Sequence, residues 1–308
     1  MRVSAIDIGT NTILLLIADV SADGSVRVIR DEQVIARLGK GVDASRRILP
    51  ETFGRAEHYL REYKAFSDEA HVDKFFVCGT SFLRDARNRQ EFVDVVRDRL
   101  GLEVSVLSGD DEAALTYVGA VSEFQTAGRQ QDFVVLDIGG GSTEITVGTE
   151  SEVAGRTSLD MGSVRITERF LTTSPPLAAS LDESSQFIRR LLQQLPPIPE
   201  AARFVGVAGT LTTLAALALK LPQYDRSKVS GYILRLTTIQ SIFDELKTKD
   251  PDGLRSFPQI LPGRADIILA GVMILLETLR HFQRNDITVS DRGLRYGMAL
   301  RAARGTGS

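Results

Sequence analysis

The sequence predicts a duplicated α/β fold, because two pairs of segments repeat along the chain at the same spacing. AIDIGTNT (residues 5–12) matches VLDIGGGS (residues 135–142) at an offset of 130 residues, and VCGT (residues 77–80) matches VAGT (residues 207–210) at the same offset. Each segment follows a short apolar run typical of a strand and contains a glycine where that strand ends. Because open α/β sheets bind ligands at the carboxyl ends of their strands, we expect these four loops to surround a cleft between two domains.

The composition is that of a soluble globular protein and excludes several classes of function. The chain has 308 residues, 37 Lys and Arg against 40 Asp and Glu, and a formal net charge of −3. Its length favours two domains, and its slightly acidic balance gives no long-range attraction for nucleic acid. One cysteine and three histidines exclude a disulfide framework and zinc sites built on clusters of these residues. We therefore expect no nucleic-acid partner, and the single thiol suits a reducing compartment.

The apolar N-terminus is interpreted as mature structure rather than as a targeting segment. Asp7, Thr10 and Asn11 interrupt the apolar run where a signal peptide needs an unbroken centre. The longest other apolar stretches, residues 208–219 and 267–279, contain Thr, Gly or Glu before they reach the length of a membrane span. We expect a cytoplasmic protein with no membrane partner.

Apolar periodicity and turn residues predict the elements of the first half in order. Three strands form a meander, with an Asp23-Gly24 turn between the last two, and helices then alternate with short buried strands. The predicted strands are residues 3–9, 13–20, 26–38, 75–78 and 104–107, and the predicted helices are residues 50–66, 89–100 and 110–124. The polar stretch 125–132 breaks this pattern, and a new strand at residues 133–138 ends in glycines. We place the domain boundary in the polar stretch.

The segment DIGGGST (residues 137–143) has the composition of a phosphate-binding loop. Three glycines after a strand let the backbone approach a ligand closely and offer several N–H donors, and two hydroxyls follow them. A tight glycine hairpin without a ligand is the alternative for one such loop, but its repetition in both halves favours phosphate. The predicted phosphate-binding residues are Gly139, Gly140, Gly141, Ser142 and Thr143, with Thr10, Asn11 and Thr12 in the first half.

Carboxylates beside these loops are candidate metal ligands. Asp7 and Asp137 each stand near the carboxyl end of a strand, and Glu144 follows two residues after Ser142. Hard oxygen ligands next to phosphate are the usual way in which proteins hold Mg²⁺. Each aspartate could instead only accept hydrogen bonds from its own loop. We favour Mg²⁺ binding for Asp137 and Glu144, and less strongly for Asp7.

The segment SGDDEA (residues 108–113) places three carboxylates at the start of a predicted helix. Acidic residues there interact favourably with the helix dipole whatever the function. No histidine lies near any motif, however, so a carboxylate is the natural candidate for activating a water molecule. Arg84 follows the Gly79-Thr80 loop, where it could reach a phosphate or pair with Asp85. The chain contains neither GxxxxGK[ST] nor GxGxxG, which excludes the P-loop and the Rossmann fingerprint.

The order of these motifs resembles a known family. DIGTNT, GTSFLRDA, SGDDEA, DIGGGSTE, VAGT and SDRGLRYG (residues 290–297) occur as in the exopolyphosphatase and guanosine pentaphosphate phosphohydrolase family, which belongs to the superfamily of sugar kinases, actin and heat-shock ATPases. The resemblance covers residues 3 to about 300. It implies an actin-like (ribonuclease H-like) α/β fold of two domains, residues 1–128 and 129–292, with the active site in the cleft between them. It also implies that a C-terminal helix, about residues 293–308, packs back on the first domain.

The same resemblance implies an activity and roles for individual residues. The activity is Mg²⁺-dependent hydrolysis of the terminal phosphoanhydride of inorganic polyphosphate, of guanosine pentaphosphate, or of both. By position, Glu112 is the general base, and Asp137 and Glu144 form the metal site. The phosphate-binding surface extends to Arg84, Gly209 and Thr210. In-line attack by water would then be assisted by the loop amides, the metal and Arg84.

Three features differ from many members of the family. Asp111 and Tyr296 stand where many members have glutamate, whereas Glu112 is retained. The chain ends at Ser308, whereas longer members carry further helical domains that help to hold long polyphosphate, so we expect the short form and little processivity. The family also makes a homodimer a reasonable expectation. The basic residues Arg46, Arg47, Arg264 and Arg292 could line a path for a polyanion, but our default interpretation is that they are scattered surface arginines.

Two other functions remain open at this stage. A kinase or ATPase of the same superfamily is one, because phosphate loops do not distinguish ATP from polyphosphate. A sensor that binds guanosine tetra- or pentaphosphate with little turnover is the other. The sequence does not decide between polyphosphate and guanosine pentaphosphate as substrate.

Overall fold

Two α/β units make up the described part of the chain in a computed structural model that describes residues 1–124 and 131–303. Unit 1 comprises Met1–Gly119 and the segment that begins at Arg292, and unit 2 comprises Ala120–Asp291. The domain boundary predicted between residues 128 and 129 lies outside the described residues. No helix in the described ranges is both long enough and apolar enough to cross a membrane.

Unit 1 contains a mixed sheet with strand order β3-β2-β1-β4-β5. The first three strands pair antiparallel, and the β1, β4 and β5 strands pair parallel. The strands are β1 (Arg2–Ile8), β2 (Thr12–Val20), β3 (Val26–Ile35), β4 (Lys74–Gly79) and β5 (Val104–Val106). The helices are α1 (Val42–Ser45), α2 (Pro50–Glu69), α3 (Ser81–Asp85), α4 (Arg89–Leu100) and α5 (Gly109–Val121).

The third strand ends earlier than predicted, at Ile35 instead of residue 38. Arg37 has a left-handed φ of 51°, which takes the chain out of the extended conformation. The backbone N–H groups of Arg37 and Gly39 then donate to the loop carbonyls of Asn11 and Thr10, each at 2.8 Å. The segment after β3 therefore braces the loop between β1 and β2 instead of extending the sheet.

Side chains of β1 alternate between two apolar cores, as the strand period of two requires. Ile6 and Ile8 pack with the cluster that includes Leu60 of α2 and Phe92 of α4. Val3 and Ala5 pack on the opposite face with α13 (Leu294–Ala303), the last helix of the described chain. The C-terminal helix thus packs on β1, β2 and β4 of unit 1.

Helices α5 and α13 approach each other through glycines. A Cβ added at Gly297 would lie 1.8 Å from the carbonyl oxygen of Leu115, and a Cβ added at Gly119 would lie 2.3 Å from the carbonyl oxygen of Gly293. In each case the clash is with backbone, which cannot rotate away as a side chain can. Glycine at both positions therefore allows the backbones of these two segments to lie in direct contact.

Replacing Gly297 with alanine is expected to destabilise the protein by about 2 to 3 kcal/mol, because the added methyl group must displace one helix from the other. Gly54→Ala is the matched control, since Gly54 lies on the exposed side of α2 with no atom within 4 Å of an added Cβ. That control is expected to gain about 0.5 to 1 kcal/mol from helix propensity. Urea unfolding followed by circular dichroism measures both, and equal stability of the two variants would contradict this packing.

Unit 2 contains a second mixed sheet, with strand order β10-β11-β9-β6-β7-β8. The strands are β6 (Asp132–Ile138), β7 (Thr143–Thr149), β8 (Val153–Leu159), β9 (Arg203–Val207), β10 (Ile233–Arg235) and β11 (Asp286–Val289). The helices are α6 (Ser163–Phe170), α7 (Ala178–Leu192), α8 (Ala208–Ala218), α9 (Arg226–Val229), α10 (Leu236–Leu246), α11 (Pro251–Arg255) and α12 (Ile268–His281), with a 3₁₀ turn at Pro262–Arg264. Helix α12 is buried on all sides from Ile268 to Leu279, which explains its unbroken apolar sequence.

The two sheets repeat one arrangement, which confirms the predicted duplicated α/β fold. Strand β1 pairs antiparallel with β2 and parallel with β4, and β6 pairs in the same way with β7 and β9. The first hairpin loops also match, because Gly9 N donates to Thr12 O at 3.0 Å and Gly139 N donates to Ser142 O at 3.0 Å. The offset found in the sequence therefore corresponds to a structural repeat.

Candidate functional site

Two backbone N–H groups of the loop between β6 and β7 point away from α6. The carbonyl of Gly139 accepts a hydrogen bond from Ser163 N at 2.9 Å, and the carbonyl of Gly140 accepts one from Val164 N at 2.8 Å. A trans peptide points its N–H opposite to its C=O, so the N–H groups of Gly140 and Gly141 face away from α6. Neither group donates a hydrogen bond to any of the described residues. Successive free amides of this kind form a concavity that binds anions.

The side chains of this loop divide between two roles. Thr143 is fully buried, and its hydroxyl donates to the carbonyl of Met161 at 2.5 Å. Since a hydroxyl carries one proton, the donor of Thr143 is used within unit 2. Ser142 is 2% exposed and lies at the end of the same loop. The loop amides, more than the threonine hydroxyl, thus provide the donors for an anion.

The equivalent loop of unit 1 carries buried polar side chains. Thr10 and Asn11 are each 7% exposed, and Thr12 is partly buried. Within the described part of the chain, Asn11 Oδ1 is buried and has no hydrogen-bond partner. Buried polar atoms are nearly always hydrogen-bonded, so this oxygen indicates a group that the polypeptide alone does not supply.

Asp137 and Glu144 stand directly opposite each other on β6 and β7. Side chains opposite each other in an antiparallel pair share one face of the sheet, with Cβ atoms about 5 Å apart. Glu144 is 2% exposed and accepts a hydrogen bond from Ser158 Oγ at 2.7 Å. In unit 1 the corresponding pair is Asp7 and Leu14, so the repeat there has one carboxylate in place of two.

These two carboxylates fit the way in which Mg²⁺ is bound. No group of three or more His, Cys, Asp or Glu side chains capable of holding a metal occurs among residues 1–124 and 131–303. Mg²⁺ is commonly held by one or two carboxylates, with water and substrate phosphate completing its octahedral shell. A two-carboxylate face beside an anion-binding loop meets that requirement, whereas a site made of protein ligands alone does not arise here.

Glu112 lies in the first turn of α5 and forms a buried ion pair. Its carboxylate accepts a hydrogen bond from Arg84, which lies in the last turn of α3 and also donates to Leu107 O at 3.2 Å. Glu112 is 8% exposed. Burial raises the pKa of Glu112 above its ordinary value, while the charge and hydrogen bond of Arg84 act in the opposite direction. Asp85, the alternative partner considered for Arg84, forms an ion pair with Arg46 at 3.2 Å.

Gly209 and Thr210 lie in the first turn of α8, beside a buried arginine. Arg264 is 8% exposed and donates to Gly209 O at 3.2 Å and to Thr213 Oγ1 at 3.1 Å. A Cβ at Gly209 would lie 2.5 Å from the Arg264 guanidinium carbon, so a side chain at this position would displace the guanidinium group. The hydroxyl of Thr210 lies against Gly271 of α12, where an added Cβ would be 2.3 Å away.

The interpretation of Arg264 as a surface arginine is wrong. It is buried beside the start of α8, and that burial lowers its pKa to about 10. The sequence around Arg264 has no periodicity that would reveal this position, because the residue lies in a 3₁₀ turn between two helices. Arg165, also buried at 3% exposure, was not identified as a functional residue either.

The single cysteine, Cys78, lies in surroundings that make its thiol unreactive. The thiol is 5% exposed at the end of β4. Burial raises its pKa to about 12, which keeps it protonated at neutral pH.

Comparisons with known proteins cover the whole chain. The profile of the Ppx/GppA phosphatase family matches residues 16–304. Exopolyphosphatase 2 of Mycobacterium tuberculosis (strain H37Rv) is 36% identical over 317 aligned positions, which cover 98% of this chain and 98% of that protein. The guanosine-5'-triphosphate,3'-diphosphate pyrophosphatase of Vibrio parahaemolyticus is 27% identical, over 96% of this chain and 58% of that protein. A crystal structure of the Aquifex aeolicus Ppx/GppA family member superimposes with a TM-score of 0.84 at 32% identity, covering 100% of this chain and 99% of that chain.

Proposed function

Because this chain belongs to the Ppx/GppA phosphatase family, we propose that it is a hydrolase that removes the terminal phosphate of inorganic polyphosphate, of guanosine pentaphosphate, or of both. The observation that carries the proposal is the β6–β7 loop, where free amides adjoin the Asp137 and Glu144 pair. Such a loop suits a phosphate chain, whose oxygens need donors and a counter-charge. A phosphate-binding loop could serve several reactions of phosphate. We choose phosphoanhydride hydrolysis because the relatives are named as an exopolyphosphatase and a pyrophosphatase.

Glu112 is the proposed general base. Its carboxylate accepts a proton from a water molecule, the water oxygen forms a bond to the terminal phosphorus, and the bridging P–O bond breaks. The products are orthophosphate and a phosphate chain shorter by one unit. Arg84, already hydrogen-bonded to Glu112, provides positive charge for the phosphoryl oxygens. A raised pKa also suits a base, because proton transfer is more favourable to a carboxylate of higher pKa.

Asp137 and Glu144 are the proposed ligands for Mg²⁺, with Ser158 fixing the orientation of Glu144 through its hydroxyl. When bound, the metal supplies charge neutralisation for the phosphate oxygens. The loop amides of Gly140, Gly141 and Ser142 then orient the phosphate by hydrogen bonding. The residue opposite Asp7 on β2 is Leu14, which offers no carboxylate, so Asp7 is a weaker candidate for the same role.

The raised pKa of Glu112 predicts how the rate depends on pH. The base works when ionised, so kcat should rise with pH through the pKa of Glu112, above the ordinary range of a glutamate. Arg84→Met removes the group that lowers this pKa, so the acid limb of the profile should move to higher pH. Arg46→Met is the control, because Arg46 pairs with Asp85 and not with Glu112. A pH–rate profile whose acid limb stays in place in Arg84→Met would contradict the assignment.

The substrate is tested by phosphate release from the purified protein with Mg²⁺. Short polyphosphate, long polyphosphate, guanosine pentaphosphate and ATP are compared at equal terminal-phosphate concentration. Release from polyphosphate, from guanosine pentaphosphate, or from both, with ATP unreactive, is the expected result. Hydrolysis of ATP alone would favour the kinase or ATPase function, and tight binding of guanosine pentaphosphate with no release would favour a sensor. Light scattering on the same sample tests the proposed homodimer.

A further inference from the structure

We propose that Arg165 and the first turn of α6 are positioning elements that orient the amides of the β6–β7 loop toward phosphate. We define the positioning segment as residues 162–165, which follow β8 and begin α6. The inference rests on the proposed function, because it assigns the part of the fold that makes the phosphate-binding loop effective. Residues 162–165 lie outside every sequence motif described above.

Consecutive residues of the positioning segment bind consecutive carbonyls of the loop. Ser163 N donates to Gly139 O at 2.9 Å, and Ser163 Oγ reaches the same oxygen at 3.3 Å. The N–H groups of Val164 and Arg165 donate to Gly140 O at 2.8 and 3.2 Å. The first N–H groups of a helix have no partner within the helix. Here they are used to fix two peptide planes of the loop.

Arg165 fixes the third peptide plane through its side chain. Its Nε donates to Gly141 O at 2.7 Å, and the side chain is 3% exposed. Because a peptide is planar and trans, this bond turns the N–H of Ser142 away from α6, in line with those of Gly140 and Gly141. A charged donor makes a stronger hydrogen bond than a neutral one, so the plane is held firmly. Arg165 therefore acts on a ligand through the backbone of the loop.

Gly162 allows the close approach that these hydrogen bonds need. A Cβ at Gly162 would lie 2.4 Å from both the carbonyl carbon and the oxygen of Gly140. The φ of Gly162 is −142°, which any residue adopts, so the requirement is one of space and not of conformation. The two backbones are in contact only because residue 162 has no side chain.

In unit 1, backbone groups hold the matching loop. There the N–H groups of Arg37 and Gly39 bind the carbonyls of Asn11 and Thr10. Both units thus use the segment after their third strand to orient the first hairpin loop. In unit 2 the side chain of Arg165 adds a further hydrogen bond to the loop.

Three substitutions at Arg165 separate the hydrogen bond from the charge. Arg165→Gln keeps an N–H donor at the chain position of Nε without the charge. Arg165→Met has similar length and no donor. Arg165→Lys keeps the charge but moves the donor one bond further along the side chain. Each is made in the full chain, and folding is checked by thermal unfolding.

The readout is the titration of the amide signals of Gly140, Gly141 and Ser142 with inorganic phosphate by NMR, in the presence of Mg²⁺. In Arg165→Met we expect the affinity for phosphate to fall about tenfold, as for the loss of one hydrogen bond from a charged donor, and the Ser142 amide signal to shift before any phosphate is added. Arg165→Gln should restore the Ser142 signal and part of the affinity, because its neutral N–H makes a weaker bond to the same carbonyl. Arg165→Lys should restore neither.

Several results would overturn the inference. Rescue by lysine and not by glutamine would mean that the charge of Arg165 contacts phosphate directly. Reduced thermal stability with unchanged phosphate affinity and unchanged Ser142 amide signal would mean that the residue only supports packing. Equal loss in all three variants would also exclude positioning through the Nε hydrogen bond. In contrast, normal phosphate binding by the wild type without release from any polyphosphate would overturn the proposed hydrolase and leave the Arg165 comparison valid.

Discussion

Replacing Glu112 with glutamine is expected to lower kcat for phosphate release by about 10²- to 10⁴-fold. Glutamine has the same shape and can still contact Arg84 through its carbonyl oxygen, but it cannot accept a proton from water. The phosphate-binding loop of unit 2 is untouched by this change. Binding of tripolyphosphate should therefore stay within about threefold of the wild type, because a group that acts only in the transition state affects kcat and not ground-state affinity.

Asp111→Asn is the matched control for Glu112→Gln. Asp111 also lies in the first turn of α5 but is exposed, and it accepts a hydrogen bond from Ser108 Oγ at 2.6 Å. Both variants lose one negative charge from the same turn of the helix. Stopped-flow measurement of phosphate release and calorimetry of substrate binding compare them. If both variants slow the reaction equally, the slower rate comes from the lost negative charge in the first turn of α5 and not from the loss of a general base at Glu112.

Removing divalent metal is expected to abolish phosphate release, and adding Mg²⁺ should restore it. Asp137→Asn and Glu144→Gln each remove one of the two opposed carboxylates, so each should raise the Mg²⁺ concentration needed for half-maximal rate by about 10-fold or more. The loop and the base remain in place in both variants. High Mg²⁺ should therefore recover much of the activity in each of them.

Glu152→Gln is the matched control for the metal variants, because Glu152 is an exposed carboxylate on the turn that leads into β8 of the same unit. Its dependence on Mg²⁺ should equal that of the wild type. Full turnover in metal-free buffer would refute the metal role of Asp137 and Glu144. If Glu152→Gln changed the Mg²⁺ dependence as much as Asp137→Asn or Glu144→Gln does, only the overall negative charge of the unit would matter.

The duplicated fold could be predicted because the repeated features are local. A strand, a glycine loop and a second strand leave a pattern in adjacent residues, and the shared offset of DIGTNT and DIGGGS reports their common structure. The family indicated by these motifs is confirmed by the profile match over residues 16–304. The opposition of Asp137 and Glu144 follows from the same hairpin register. Features that depend on one hairpin were thus accessible from the sequence.

Contacts between distant elements were not accessible in the same way. Arg84 and Glu112 are 28 positions apart on different helices, and no periodicity links them. Arg165 begins a short helix, where an arginine usually faces solvent, so its burial beneath the loop left no pattern in the sequence. The end of β3 depends on the left-handed φ of Arg37, which an arginine seldom adopts. Each of these features is decided by packing in three dimensions.

The division between the two units falls between Gly119 and Ala120, within α5. A helix that continues across such a division gives no change in composition or periodicity there, so a sequence pattern does not locate it. The boundary expected in the polar stretch, between residues 128 and 129, stays a prediction.

The central claim is that water attacks the terminal phosphorus of a phosphate chain, and isotope transfer tests it most directly. The purified protein is incubated with tripolyphosphate and Mg²⁺ in water labelled with oxygen-18, and the reaction is stopped before any molecule is cleaved twice. The products are then separated and analysed by mass spectrometry. The account predicts one labelled oxygen in the released orthophosphate, none in the remaining pyrophosphate, and no labelled product with Glu112→Gln on the same timescale. Label in the pyrophosphate, or no cleavage of tripolyphosphate or guanosine pentaphosphate by the wild type, would contradict it.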